Sequence, residues 1–266
     1  MGSIVRIDDR DDPRIAAYRD IRERDLVGRE GHFIAEGEVV VRVLLNASRH
    51  APLSLLMAEK RVAALQAEIA GLPEAVPVFV APQGILDAIA GFPMHRGILA
   101  LGRRAAFPPT DDLLVALPRE ALVLGLFGIA NHDNLGGIFR NAAAFGADLV
   151  LLDSDCCDPL YRKAIRVSAG NVLCVPFAQL GAGADMIGRL AAHGFETFAL
   201  SPAGASSLSE IPRPERAALL FGAEGPGLPE SVLRRATTIC IPMAAGVDSL
   251  NVATTSGIVL HHFARE

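Results

Sequence analysis

Three segments of the chain hold polar residues in arrangements that could do chemistry. Residues 131–146 read NHDNLGGIFRNAAAFG, directly after an apolar run. Their spacing predicts a helix with Leu135, Ile138, Phe139, Ala142 and Ala143 on its apolar stripe. At about 100° per residue, Arg140 lies roughly 140° round the helix from Leu135, well off that stripe. An arginine so placed, beyond a glycine-rich turn, can face a ligand in the crevice outside the strand ends. Residues 219–229 read LLFGAEGPGLP, a strand running into a rigid loop with Glu224 at its centre. The backbone N–H and C=O groups of such a loop are free to meet a ligand. Residues 241–258 read IPMAAGVDSLNVATTSGI, and here Ser249 is expected to cap a helix. That puts Ser249 and Asn251 at a helix N-terminus, where free donors favour an anionic group. Val252, Ala253, Gly257, Ile258 and Val259 would let this helix pack closely against another one.

Taken singly, each segment has a plainer reading: a tight turn with a surface arginine, a structural turn, a helix cap. Dinucleotide binding is a further reading of the first, since Asp153 ends the next strand 17 residues after Gly136. The fingerprint needs G-x-G-x-x-G, however, and the loop reads NLGGIFR, with arginine at the third glycine position. Cys156, Cys157, Cys174 and Cys240 form no CxxC pair, and the seven histidines lack ligand spacing. Reduced thiols and no metal are the expectation.

These segments need a scaffold. Apolar runs at 122–129, 149–152, 172–175, 195–200, 217–221 and 238–241 alternate with helical stretches. Runs without a polar face suit a parallel sheet covered on both sides. Upstream, Asp12-Pro13 opens an amphipathic helix with Ile15, Tyr18 and Ile21 on one side. Strands at 32–35, 54–57, 76–80 and 97–101 alternate with helices at 38–47, 61–69 and 83–89. Residues 102–119 carry Pro108, Pro109 and Pro118 with little periodicity and read as a linker. The expected division is residues 1–104, a linker at 105–119, and a main domain at 120–266.

Composition narrows the class. With 51% hydrophobic and 21% charged residues the chain is globular rather than disordered. The longest apolar stretch, residues 121–130, is too short to span a bilayer, and a cytoplasmic protein is expected. The net charge of −5 falls wholly on residues 105–266, which hold 11 basic and 16 acidic side chains, while residues 1–104 balance at 14 and 14. A local basic patch is enough to meet a phosphate backbone, so this balance does not exclude RNA.

Together the three segments closely resemble the motifs of the SpoU/TrmH branch of the SPOUT RNA methyltransferases. Asn134, Gly136, Arg140 and Gly146 match the first, and Phe221, Gly222, Glu224, Gly227 and Leu228 the second. Ile241, Pro242, Met243, Ser249, Leu250 and Asn251 match the third. The resemblance covers residues 120–266. More loosely, residues 31–104, with Glu36-Gly37 and the ending His95-Arg96-Gly97, resemble the small α/β, ribosomal-protein-like substrate-binding module found before many such domains.

The resemblance implies an α/β fold whose parallel sheet ends in a deep C-terminal trefoil knot, a feature no periodicity could announce. It implies S-adenosylmethionine as cofactor, held near Leu200, Ser201, Phe221, Gly222, Gly227, Ile241, Met243 and Leu250, without metal. It implies methyl transfer to a ribose 2′-hydroxyl of RNA by a homodimer, with Arg140 of one subunit reaching a site completed by the other. A guanidinium does not deprotonate in proteins, so Arg140 is expected to bind phosphate and hydroxyl, with Asn134, Glu224, Ser249 and Asn251 fixing the surroundings. Ribosomal RNA is the first choice of substrate and transfer RNA the second. A non-catalytic RNA-binding or ribosome-assembly factor on the same fold, or an NAD-linked oxidoreductase, are the alternatives.

Overall fold

Apolar runs of four to eight residues can hide from water by pairing into sheets, and here most of them build two. The structure, a computed structural model, describes residues 3–19, 31–90 and 97–264. The chain divides into two units. One comprises residues 1–106 and 160–174, the other residues 107–159 and 175–266.

The first unit runs β1 (Ile4–Arg6), β2 (His32–Glu36), α1 (Glu38–Asn46), β3 (Ala51–Ala58), α2 (Gln66–Gly71), β4 (Val78–Ala81), α3 (Gln83–Ala90) and β5 (Ile98–Arg103). Its sheet has the order β1-β4-β3-β5-β2. The pairs β1–β4 and β3–β4 are parallel, while β5 runs antiparallel to β3 and β2. Asp12 caps the segment Pro13–Tyr18 as expected, but the segment is a 3-10 helix, a form suited to such short pieces. Ile15 and Tyr18 are buried; Ile21, His95 and Arg96 lie outside the described residues. The helix expected at 61–69 is instead two 3-10 turns followed by α2.

The second unit supplies α4 (Thr110–Val115), β6 (Ala121–Phe127), α5 (His132–Ala144) and β7 (Leu149–Leu152). After the excursion of α6 (Arg162–Val167) into the first unit come β8 (Phe177–Gln179), α7 (Met186–Ala192), β9 (Glu196–Leu200) and β10 (Ser206–Ser207). Then follow β11 (Arg216–Gly222), α8 (Glu230–Leu233), β12 (Thr237–Cys240) and α9 (Val252–Phe263). The seven strands take the order β10-β12-β9-β11-β6-β7-β8, and every pairing is parallel. Alternate residues Val123, Leu149, Leu151, Ala218 and Leu220 pack with Leu190 of α7. Their neighbours Leu122, Leu124, Val150 and Leu219 are buried as completely, so both faces are covered and the strands need no polar side.

Two expectations change. Residues 172–175 are not a strand: Asn171–Leu173 is a 3-10 turn, and the strand begins only at Phe177. Gly170 takes φ 87° and the Ser168 hydroxyl accepts the Val172 N–H, which closes a turn while still burying Val172 and Leu173. A short apolar run is buried equally well either way. Within the stretch read as linker, Thr110–Val115 is a helix, with Asp111 and Asp112 in its first turn and Leu114 fully buried in the sheet core. One buried leucine in six residues is too little periodicity to read.

Candidate functional site

Three adjacent parallel strands, β12, β9 and β11, end together, and the loops leaving them surround a cavity of about 650 Å³. This is the crevice outside the carboxyl ends of strands where open α/β sheets take ligands. The loop after β11 folds back on its own strand. A Cβ on Gly222 would lie 2.2 Å from the Gly227 carbonyl carbon, so only glycine permits the approach. Gly227, at φ 69°, donates its N–H to the Ala223 carbonyl at 2.9 Å and locks the turn.

All eight residues expected near the cofactor line this cavity: Leu200, Ser201, Phe221, Gly222, Gly227, Ile241, Met243 and Leu250. Glu224, Ser249 and Asn251 line it too. The sequence reading passed over Pro202, Asp248 and Thr255, which also face it. Thr255 sits one helical turn after Asn251 and donates its hydroxyl to the Asn251 carbonyl at 3.1 Å, so the 3.6-residue period could have found it.

The polar residues converge on Asn251. Its Oδ1 accepts the N–H groups of Ala253 and Thr254 at 2.9 and 3.2 Å, which makes Asn251 the cap of α9. That corrects the expectation for Ser249, which stands in the loop two residues earlier and donates to Asp248 Oδ1 at 3.4 Å. An amide whose oxygen is spent on capping must turn its NH2 outward. Asn251 Nδ2 accordingly donates to Asn134 Oδ1 and to Glu224 Oε1, each at 2.8 Å. One side chain thus ties together residues 134, 224 and 251, from three segments. Asn134 is buried on α5 behind the cavity wall.

Helix α5 starts at its own cap, Asn131, and buries Leu135, Ile138, Phe139 and Ala142. Its partner is α9 of the same chain. A Cβ on Gly137 would meet the Ala253 side chain at 2.7 Å, and Asn141 Nδ2 donates to the Ala253 carbonyl and to the Ser256 hydroxyl at 2.7 and 2.9 Å. The small residues of α9 are therefore used inside the chain. Arg140 projects from the exposed side of α5, does not line the cavity, and has no hydrogen bond or ion pair among the described residues.

Asp153 is committed elsewhere. Its carboxylate accepts the N–H groups of Gly128, Asp155 and Cys156 at 3.0 to 3.1 Å, bracing the loop after β6 and leaving it no role on a ribose. Cys156, Cys157, Cys174 and Cys240 are unpaired. Burial pushes the Cys156 thiol well up, with Asp153 adding to the effect, and holds Cys157 at about 11, so both stay protonated. Among the described residues no three His, Cys, Asp or Glu side chains are placed to hold a metal, and no helix is long and apolar enough to cross a membrane.

With that geometry in hand, known proteins offer close parallels. The model of the SpoU rRNA Methylase family matches residues 121–261. An uncharacterised tRNA/rRNA methyltransferase of Mycobacterium tuberculosis strain CDC 1551 is 40% identical over 97% of this chain and 90% of its own. An rRNA methyltransferase from Sinorhizobium meliloti, solved with AdoMet bound, superposes with a TM-score of 0.82 at 25% identity, covering 98% of this chain and 97% of that one. A structure of an RNA 2′-O ribose methyltransferase, at 24% identity and TM-score 0.78 over 97% of both chains, shares the fold.

Proposed function

We infer the activity from a premise: the chain belongs to the SpoU rRNA methylase family, and it methylates RNA with S-adenosylmethionine as methyl donor. We propose that the acceptor is a ribose 2′-hydroxyl and that the RNA is ribosomal. The observation that carries the reading is the cavity at the ends of β9, β11 and β12, with Asn251 joining Asn134 and Glu224 at its edge.

The cavity suits the cofactor. Leu200, Phe221, Ile241, Met243 and Leu250 offer apolar flanks for a purine. Glu224 and Asp248 bring negative charge for a cationic sulfur. In our reading Leu200, Ser201, Phe221, Gly222, Gly227, Ile241, Met243 and Leu250 hold the cofactor. S-adenosylmethionine, when bound, supplies a methyl already activated on a sulfonium. What is left to the protein is to hold a weakly acidic alcohol in line.

Arg140 does this by binding the phosphate and the hydroxyl through the forked donors of its guanidinium. Asn251, fixed by its cap, keeps Asn134 and Glu224 in place, and Ser249 offers a further hydroxyl at the mouth. Arg140 lies outside the cavity of its own chain, which supports a homodimer in which one copy completes the site of the other. We further propose the deep trefoil knot around β11 and β12. We read residues 1–104, joined by 160–174, as the RNA-holding module and residues 120–266 as the body of the methyltransferase domain, with the helix Thr110–Val115 of the expected linker 105–119 packed onto that domain, in a protein working in the cytoplasm.

The test is chemical. Ribosomal and transfer RNA are incubated with the protein and an isotopically labelled methyl donor, digested to nucleosides and resolved by mass spectrometry. A labelled 2′-O-methylnucleoside from ribosomal RNA is expected. Label on a base would refute the 2′-O assignment, and label on transfer RNA alone would refute the ribosomal one.

A further inference from the structure

The first unit is electrically lopsided. On β1 and around the segment Pro13–Tyr18 the cations are already matched: Arg6 pairs with Asp8 and Glu59, Arg14 with Asp12, and Arg19 with Asp11. Over β2, the end of β5 and the turn before β3, cations come from three separate parts of the chain. Residues 160–174, LYRKAIRVSAGNVLC, carry three basic side chains and no acidic one. This is the excursion that leaves the second unit's sequence and packs into the first.

Its course is set by identifiable contacts. The Arg162 guanidinium lies 3.8 Å from the buried Glu36 carboxylate, at the end of β2. Gly170 passes tightly over Val43 of α1, where a Cβ would lie 3.1 Å from the valine Cβ. The Leu173 and Cys174 carbonyls then accept the Arg49 backbone N–H and its Nε, at 3.1 and 3.2 Å. The excursion therefore runs from one end of β2 to the turn before β3. There the sheet register sets Arg103 beside His32 and Ala51, with Arg104 next along the chain. Lys163 and Arg166 stay exposed on α6. Arg49, Arg103 and Arg166 are exposed and form no ion pair among the described residues.

We propose that this strip, running from the helix α6 beside β2 to the end of β5 and the turn before β3 and made by Arg49, Arg103, Arg104, Lys163 and Arg166, is the surface on which the first unit holds the sugar-phosphate backbone of the substrate RNA. The proposal rests on the RNA methyltransferase reading above. Charge complementarity carries it: forked guanidinium groups matched to phosphate oxygens, gathered in one strip of a unit whose other charges are 12 basic and 14 acidic. Arg162, anchored on Glu36, acts as a positioning residue that holds the basic helix in place.

The experiment uses the full-length protein, a fluorescein-labelled RNA hairpin followed by anisotropy across a salt series, and a triple variant Arg49→Gln, Arg103→Gln, Arg166→Gln. S-adenosylmethionine binding, followed by calorimetry, should match the parent and report an intact second unit. RNA affinity should fall by at least ~10-fold, and the slope of log affinity against log salt should flatten by about two to three. Unchanged affinity and slope would overturn the surface. As a second measurement, RNA photocrosslinked to the unaltered protein should map to peptides spanning 49–51 and 160–174; crosslinks confined elsewhere overturn it too, even if the variant misfolds. Displacement of protein by polyglutamate but not by RNA would point to an acidic protein partner and also refute it. If the parent methylates RNA while the variant binds RNA normally, only the surface has failed. If the parent methylates no RNA, the functional reading has failed instead.

Discussion

The two units use polar side chains in opposite ways. In the second, Asn134, Glu224 and Asn251 meet at the strand ends beside an open cavity, bonded to one another across three segments. In the first, Tyr18, Ser54 and His50 are sealed into the fold: Tyr18 Oη and Ser54 Oγ lie 2.7 Å apart, and His50 Nδ1 accepts the Ala105 N–H at 3.0 Å. The first arrangement holds groups ready at a surface, and the second satisfies groups that burial would otherwise penalise. Mutations should separate the two, with rate lost and stability kept in one unit, and the reverse in the other.

The sharpest break is expected at Arg140. Arg140→Ala should lower methyl transfer by ~1,000-fold or more, the scale of losing a preorganised charge at a reacting centre. S-adenosylmethionine affinity should stay within about twofold, because Arg140 does not line the cavity. Radiometric turnover beside calorimetry checks both. Near-normal turnover would remove Arg140 from the chemistry.

Asn251 tests the network itself. Asn251→Asp keeps an oxygen to cap α9 but replaces the donor to Glu224 with a second carboxylate oxygen. Turnover should fall by ~100-fold while the melting temperature holds, since the cap survives. Asn251→Ala, losing cap and donors together, should cost about 1 kcal/mol of stability as well. Parent-like turnover in Asn251→Asp, with a loss only in Asn251→Ala, would mean that only the cap matters.

How much of this was legible in the sequence follows from range. The strands of the main sheet were readable because uniform apolar runs have few other fates, and the loops after 200, 221 and 240 followed from where those strands stop. Asn251 as cap was harder to read: serine and asparagine both cap helices, and the choice is made by Asn134 and Glu224, 117 and 27 residues away. The excursion of residues 160–174 was invisible for a similar reason. Nothing local to Val172 and Leu173 says that their burial is shared with residues 43–49 rather than with a parallel strand.

In the first unit, His50 gives a pH signature. Burial, with Arg104 and Arg49 nearby, holds its pKa down at about 4, against an ordinary value of 6.5. Above pH 6.5 the imidazole is neutral in both folded and unfolded chains and stability is unaffected. As pH falls toward 4 the unfolded chain takes up a proton that the folded one refuses, so stability declines through that window. The loss should reach ~2–3 kcal/mol near pH 4. Denaturant unfolding of the parent and of His50→Gln, compared at pH 7 and pH 4.5, checks it: the variant should lose less on acidification. Parallel curves would show that His50 is not the group responsible.

The smallest expected effect is at Tyr18, and it tests the comparison from the side of stability. The phenol closes a chain of polar groups, sharing a hydrogen bond with Ser54 Oγ and accepting the Leu101 N–H at 3.2 Å. Tyr18→Phe keeps the ring and its packing against Ile15 and Leu56 in the core, but strands a buried hydroxyl and a buried amide. Leaving such groups unpaired costs about 1–2 kcal/mol, which for a chain of this size lowers the melting temperature by ~2–8 °C. Ser54→Ala in the Tyr18→Phe background removes one orphan and should recover part of the loss, an interaction that a double-mutant cycle reads directly. Turnover below the transition should match the parent, because no atom of this chain of groups touches the cavity. A fall in turnover without a fall in melting temperature would instead couple the buried tyrosine to the site, and the division between a unit that holds reactive groups open and one that seals them would not stand.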